Sequence, residues 1–146
     1  MERLSILLAI VMFMAAGASA RSNYSHDASL LPESAKSVIA NNCKAKVSVV
    51  KIDKNFGRVN EYEVTLTDGT EISFDREGNW KSVETRNTNS VPVKFVPSNI
   101  SNYIYKNQSG TRIVGIEKER RGYDVELSNG VDMKFDKMGN FIRYDD

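Results

Sequence analysis

The fold is decided by Glu61-Tyr62-Glu63-Val64-Thr65-Leu66-Thr67-Asp68-Gly69-Thr70-Glu71-Ile72-Ser73-Phe74-Asp75. Apolar and polar side chains alternate with period two on both sides of Asp68-Gly69, the pattern of a half-buried antiparallel hairpin. A two-residue turn would set Leu66 against Glu71 and mix the faces. A three-residue loop, Thr67-Asp68-Gly69, instead sets Leu66 opposite Thr70, Val64 opposite Ile72 and Tyr62 opposite Phe74. That register makes one face apolar throughout, with Gly69 in the left-handed position of a bulged turn.

The same stretch returns further along. Tyr62, Val64, Leu66, Gly69, Phe74, Asp75, Gly78 and Asn79 match Tyr123, Val125, Leu127, Gly130, Phe135, Asp136, Gly139 and Asn140 at an offset of 61. Upstream, Val50, Ile52 and Lys54 match Val114, Ile116 and Lys118 at 64, and Pro32, Ile39 and Asn42 match Pro97, Ile104 and Asn107 at 65. The offset changes only where loops belong, so the chain is one unit written twice. Each copy opens with a short helix behind Pro32 or Pro97. Ala35, Val38 and Ile39, then Ile100, Tyr103 and Ile104, recur at helical spacing. The expected class is α+β, each repeat a helix followed by a four-stranded antiparallel meander. The strands are placed at 46–53, 59–67, 70–75 and 79–84, then 111–118, 122–128, 131–136 and 140–145. The turns at Arg76-Glu77-Gly78 and Lys137-Met138-Gly139 put Trp80 opposite Phe74 and Phe141 opposite Phe135.

Residues 1–20 read as a secretion signal: a basic Arg3, an apolar run from Leu4 to Ala16, and the small-residue pattern Ala18-Ser19-Ala20. The run is too short for a stable membrane span, and no later run replaces it. The organisation expected is a signal at 1–20, a loose polar tail at 21–30, repeat one at 31–85, a linker at 86–95 and repeat two at 96–146. The product is expected to be exported, to the periplasm or beyond.

The net charge of +1 gives no long-range field for nucleic acid. Cys43 is the single cysteine, so no internal disulfide can form; it reads as a small, partly buried apolar residue. His26, the single histidine, falls in the expected tail. One His and one Cys cannot assemble a zinc site, a Cys–His pair or a Ser-His-Asp triad. Asp75 and Asp136 stand in fragments resembling calcium loops, but lack the alternating ligands and distal glutamate. They read as aspartates capping their own turns. Neither a catalytic residue nor a cofactor nor a metal site is expected.

The outward sheet face is the candidate binding surface. In the expected register it carries, among others, Val83, Ile113, Glu126, Asp132, Ile142 and Tyr144. There, Glu126 and Asp132 oppose each other, unfavourable by a few tenths of a kcal/mol. Apolar residues beside uncompensated acid can form a protein-binding surface.

Leu31-Pro32, Glu61-Tyr62-Glu63-Val64, Asp68-Gly69-Thr70-Glu71-Ile72, Phe74-Asp75 and Gly78-Asn79-Trp80 resemble the bacterial PepSY-like family, whose fold resembles that of the β-lactamase inhibitor protein. Val96-Pro97, Gly122-Tyr123-Asp124-Val125-Glu126-Leu127, Asn129-Gly130, Phe135-Asp136 and Gly139-Asn140-Phe141-Ile142-Arg143 carry the resemblance in the second copy. It implies a periplasmic protein of two helix-plus-four-strand repeats, common in gut Gram-negative bacteria, and a role in inhibiting or modulating an envelope hydrolase. It brings no catalytic residue. The expected function is therefore a non-enzymatic binding module with a protein partner. The alternative is a carrier or sensor of a small ligand held between helix and sheet.

Overall fold

A computed structural model describes residues 20–86 and 88–145. The expected signal segment, apart from its last residue, lies outside the described residues.

Helix α1 spans Glu33–Asn42 and is followed by strands β2 (Val47–Asn55), β3 (Arg58–Leu66), β4 (Glu71–Asp75) and β5 (Trp80–Glu84). Helix α2 spans Ser98–Asn107 and is followed by β6 (Ile113–Glu119), β7 (Gly122–Leu127), β8 (Asp132–Asp136) and β9 (Phe141–Asp145). Pro32 and Pro97 stand at the N-caps, where neither is asked for the N–H it lacks.

The strands form one nine-stranded antiparallel sheet in sequence order. The copies are joined by β5–β6 pairing, Ser82 facing Glu117, Val83 facing Ile116 and Glu84 facing Gly115. The ninth strand is β1 (Ala20–Ser25), paired along β2 from Ala20–Asn55 to Ser25–Val50. The stretch expected to be a loose tail thus holds the sheet edge. Its polar residues gave no apolar alternation to read, because an edge strand needs a backbone ladder more than a buried face. His26 also has a partner, its Nδ1 lying 2.8 Å from the Ser48 carbonyl.

The hairpins obey the turn chemistry. Val64 faces Ile72 and Tyr62 faces Phe74. Gly69 has φ +86° and donates to Leu66 O at 3.0 Å; Gly130 repeats this with φ +83° and Leu127 O at 2.9 Å. Trp80 opposes Phe74, and Phe141 opposes Phe135.

One apolar core lies between the helices and the inner sheet face. Ala35, Ile39, Ile100 and Ile104 bury against Val50, Val64, Ile72, Phe74, Ile116, Val125, Met133 and Phe135. The second copy fills it with aromatics: Tyr103 stacks on Phe141 at 4.7 Å and meets Phe135 edge-on at 5.9 Å. In the first copy the Trp80 ring meets Phe95 edge-on, with Lys118 Nζ 3.9 Å from its centroid.

Both copies carry bulges at matching places. Lys81 is the extra residue between the Phe74–Trp80 and Ser73–Ser82 pairs, and Ile142 that between Phe135–Phe141 and Lys134–Arg143. Ser48 and Val114 are likewise extra on β2 and β6. Val50 pairs with Val64 and Ile116 with Val125, so Val50 corresponds to Ile116, at an offset of 66 rather than 64.

Candidate binding face

Each bulge consumes one residue and reverses the facing of the rest of its strand. This corrects half of the expected surface. Val83 opposes Ile72 and Ile116 and is fully buried in the core. Ile113 opposes Leu127 and packs against the core, half-buried. Tyr144 opposes Met133, its ring 4.9 Å from Phe141 and its hydroxyl 3.3 Å from Gln108 Nε2 of the α2 C-cap. Ile142 sits on the β9 bulge, 51% exposed. Glu126 and Asp132 oppose each other on the outer face.

With those apolar residues removed, the outer face is a field of carboxylates. Read across the strands, one row runs Glu71, Glu84, Gly115, Glu126, Asp132, Asp145. Every position in it is acidic except Gly115, which has no side chain. The next row runs Ser82, Glu117, Asp124, Lys134, Arg143. Like charges directly opposite destabilise a sheet, by a few tenths of a kcal/mol to about 1 kcal/mol per pair. The near-neutral net charge therefore conceals a sheet face rich in acid.

Cations are interspersed among the carboxylates, and Lys51 lies opposite Glu63. Arg86 reaches Glu71 at 2.9 Å and Lys81 reaches Glu61 at 2.9 Å. Lys134 Nζ lies 3.4–3.6 Å from Asp145, Asp124 and Glu119, and Arg143 lies 3.4 Å from Asp145.

The carboxylates are also crowded, although both helices lie on the opposite face. Asp53 is 2% exposed, Asp124 5% and Asp132 8%. The bulges bend and twist their strands, and side chains on the same sheet then cover one another. Burial pushes the Glu84 carboxyl up to about 7, with the charges of Glu71 and Glu126 adding to it. Asp124 is pushed to about 7 by burial, with the neighbouring Glu119 carboxyl adding to it. Burial also raises Glu63 and Glu117.

The aspartates singled out in the turns belong to a separate structural device. Asp75 Oδ1 accepts from the Glu77 and Asn79 N–H groups at 2.9 Å, and Asp136 Oδ1 from those of Met138 and Asn140 at 2.9 and 2.8 Å. For Asp75 the hydrogen bonds from its own turn outweigh burial and hold the carboxyl below its usual range; for Asp136 they act with little burial to oppose them. Each turn then ties back to a helix, Ser34 Oγ donating to Glu77 O at 2.6 Å and Asn99 Nδ2 to Met138 O at 2.5 Å.

A cleft of about 270 Å³ opens beside α2, lined by Val91, Val96, Ile104, Tyr105, Arg112 and Ile113 among others. It is smaller than the usual range for small-molecule sites.

The family model described as "Putative beta-lactamase-inhibitor-like, PepSY-like" matches residues 13–66 and again 60–143. The chain belongs to this family.

The PepSY-like chain is similar to solved structures from two Bacteroides species. A "putative periplasmic protein of unknown function" from Bacteroides vulgatus is 35% identical, with a TM-score of 0.78, over 86% of this chain and 100% of that one. A "putative calcium-regulated periplasmic protein" from Bacteroides thetaiotaomicron is 31% identical, with a TM-score of 0.75, over 86% and 97%. A second Bacteroides vulgatus periplasmic protein, also described as putative, is 30% identical at a TM-score of 0.76, over 89% and 100%. No curated protein matches the chain. No helix among the described residues is long and apolar enough to cross a membrane.

Proposed function

We propose that this PepSY-like protein is a non-enzymatic periplasmic binding module that receives a positively charged protein surface on its acidic outer sheet face. The observation that carries this reading is the cross-strand row Glu71, Glu84, Glu126, Asp132 and Asp145, interrupted only by Gly115. Such a row costs stability in the free protein, and a cationic partner relieves that cost. Charge complementarity of this kind speeds association and selects the partner.

The periplasmic setting is supported by the descriptions of the Bacteroides neighbours. The family description, inhibitor-like, supports a further step: the partner is an envelope hydrolase that the module inhibits or modulates. That description names no catalytic activity.

The test uses a lysine- and arginine-rich peptide and an acidic peptide of equal length. The basic peptide is expected to bind with an affinity that falls as salt rises. Binding is expected to drop at least severalfold in the Glu84→Gln, Glu126→Gln double variant. Equal binding of both peptides, or of wild type and variant, would sink the reading.

A further inference from the structure

A second group of acids stands beside that row, at the β6–β7 hairpin. Glu117 and Glu119 are two residues apart on β6 and so share a face, and Asp124 on β7 is directly opposite Glu117. One carboxylate oxygen from each of the three lies within 4.8 Å of the others. Acidic clusters are common on surfaces, but this one is not a surface cluster at its base. Asp124 is 5% exposed, and its Oδ1 is buried with no hydrogen-bond partner. Glu117 Oε2 is buried and without a partner too.

Lys134 does not saturate the group. Its ammonium lies 3.5 Å from Asp124 Oδ2 and 3.6 Å from Glu119 Oε2, outside good hydrogen-bonding range, and is shared with Asp145 at 3.4 Å. Lys134, and Lys81 acting on Glu117 from β5, thus stand against several carboxylates, while two buried oxygens remain unsatisfied. A buried acceptor left without a partner costs about 1–3 kcal/mol. A hard divalent cation relieves that cost for several oxygens at once, and carboxylate oxygens are the donors it prefers.

We propose that Glu117, Glu119 and Asp124 form a divalent-cation site of the calcium type on the outer sheet face, with Lys134 as the counter-charge the ion displaces. The three side chains come from two adjacent strands joined by a tight turn, so the oxygens are nearly assembled before the ion arrives. Three carboxylates held at spacings set by the sheet suit calcium's flexible coordination better than magnesium's strict octahedron, and water fills the remaining positions. This site stands or falls independently of the docking of a basic partner.

The test is calorimetric titration of the full exported chain with calcium and, separately, magnesium, alongside thermal unfolding with each ion. Wild type is expected to bind calcium with a dissociation constant of about 10⁻⁴–10⁻³ M, the range of extracellular oxygen-ligand modules, and to unfold at a higher temperature in its presence. Magnesium is expected to bind more weakly. Glu119→Gln and Asp124→Asn are each expected to weaken calcium at least about tenfold, and Lys134→Met to strengthen it. Glu119 is the more exposed, so Glu119→Gln serves if Asp124→Asn fails to fold. Glu33→Gln, exposed on α1 and away from the sheet face, is expected to leave calcium binding unchanged. Absence of saturable calcium binding in wild type, or wild-type affinity in Glu119→Gln, would overturn the proposal.

Discussion

Val83 and Ile116 face each other across the seam between β5 and β6, and neither has any exposed surface. This pair joins the two copies into one sheet. Had β5 run without a bulge, Val83 would point to solvent and its truncation would be nearly neutral. In the seam, Val83→Ala removes two buried methyl groups and leaves a cavity. The expected cost is about 2 kcal/mol, read as a lower urea midpoint. A change below a few tenths would mean the two halves do not share a core there.

Glu84 should make stability fall as pH rises. Its folded carboxyl is raised from 4.5 to about 7, so the folded state holds the proton more tightly than the unfolded state does. The contribution is fully present below 4.5 and is lost as pH rises through about 7. Glu63, Glu117 and Asp124 act in the same direction. Glu84→Gln is expected to stabilise the protein at pH 8 by about 1 kcal/mol, discounted for solvent screening, and to change little at pH 4. The check is the difference in thermal midpoint between variant and wild type across that interval.

Gly139 should be intolerant of a side chain for two reasons. Its φ is +81°, and an added Cβ would overlap the Asn99 amide that ties the turn to α2. Gly139→Ala is expected to cost about 1–3 kcal/mol. Gly110 has a similar φ of +84° but open space around it. Gly110→Ala should cost less, and comparing chemical denaturation of the two variants separates the clash from the backbone term.

Cys43 should react slowly. It is half-buried at the end of α1, and burial, then the charge of Asp68, pushes its thiol to about 11. The thiolate is the reactive form. Alkylation at pH 8 is expected to be at least tenfold slower than for an ordinary cysteine (pKa about 8.5) and to accelerate in denaturant. Rapid labelling of the native protein would place the thiol in water.

The sequence by itself determined the duplication, the two helices, the strands of both copies and the turns between them. Glycine at the left-handed positions and period-two alternation are local constraints, written in adjacent residues such as Asp68-Gly69 and Tyr62, Val64, Leu66. Within an unbroken strand, alternation also fixes which side chains share a face, so the opposition of Glu126 and Asp132 was legible. The tertiary structure alone decided where the strands bulge. Lys81 and Ile142 are extra residues because the sheet must bend around its aromatic core, and no local signal marks them. Each shifts the parity of the residues after it, which carried Val83 and Tyr144 to the inner face and left the outer one acidic. The polar residues of β1 gained their place in the same way, from a free edge on β2 rather than from any pattern of their own.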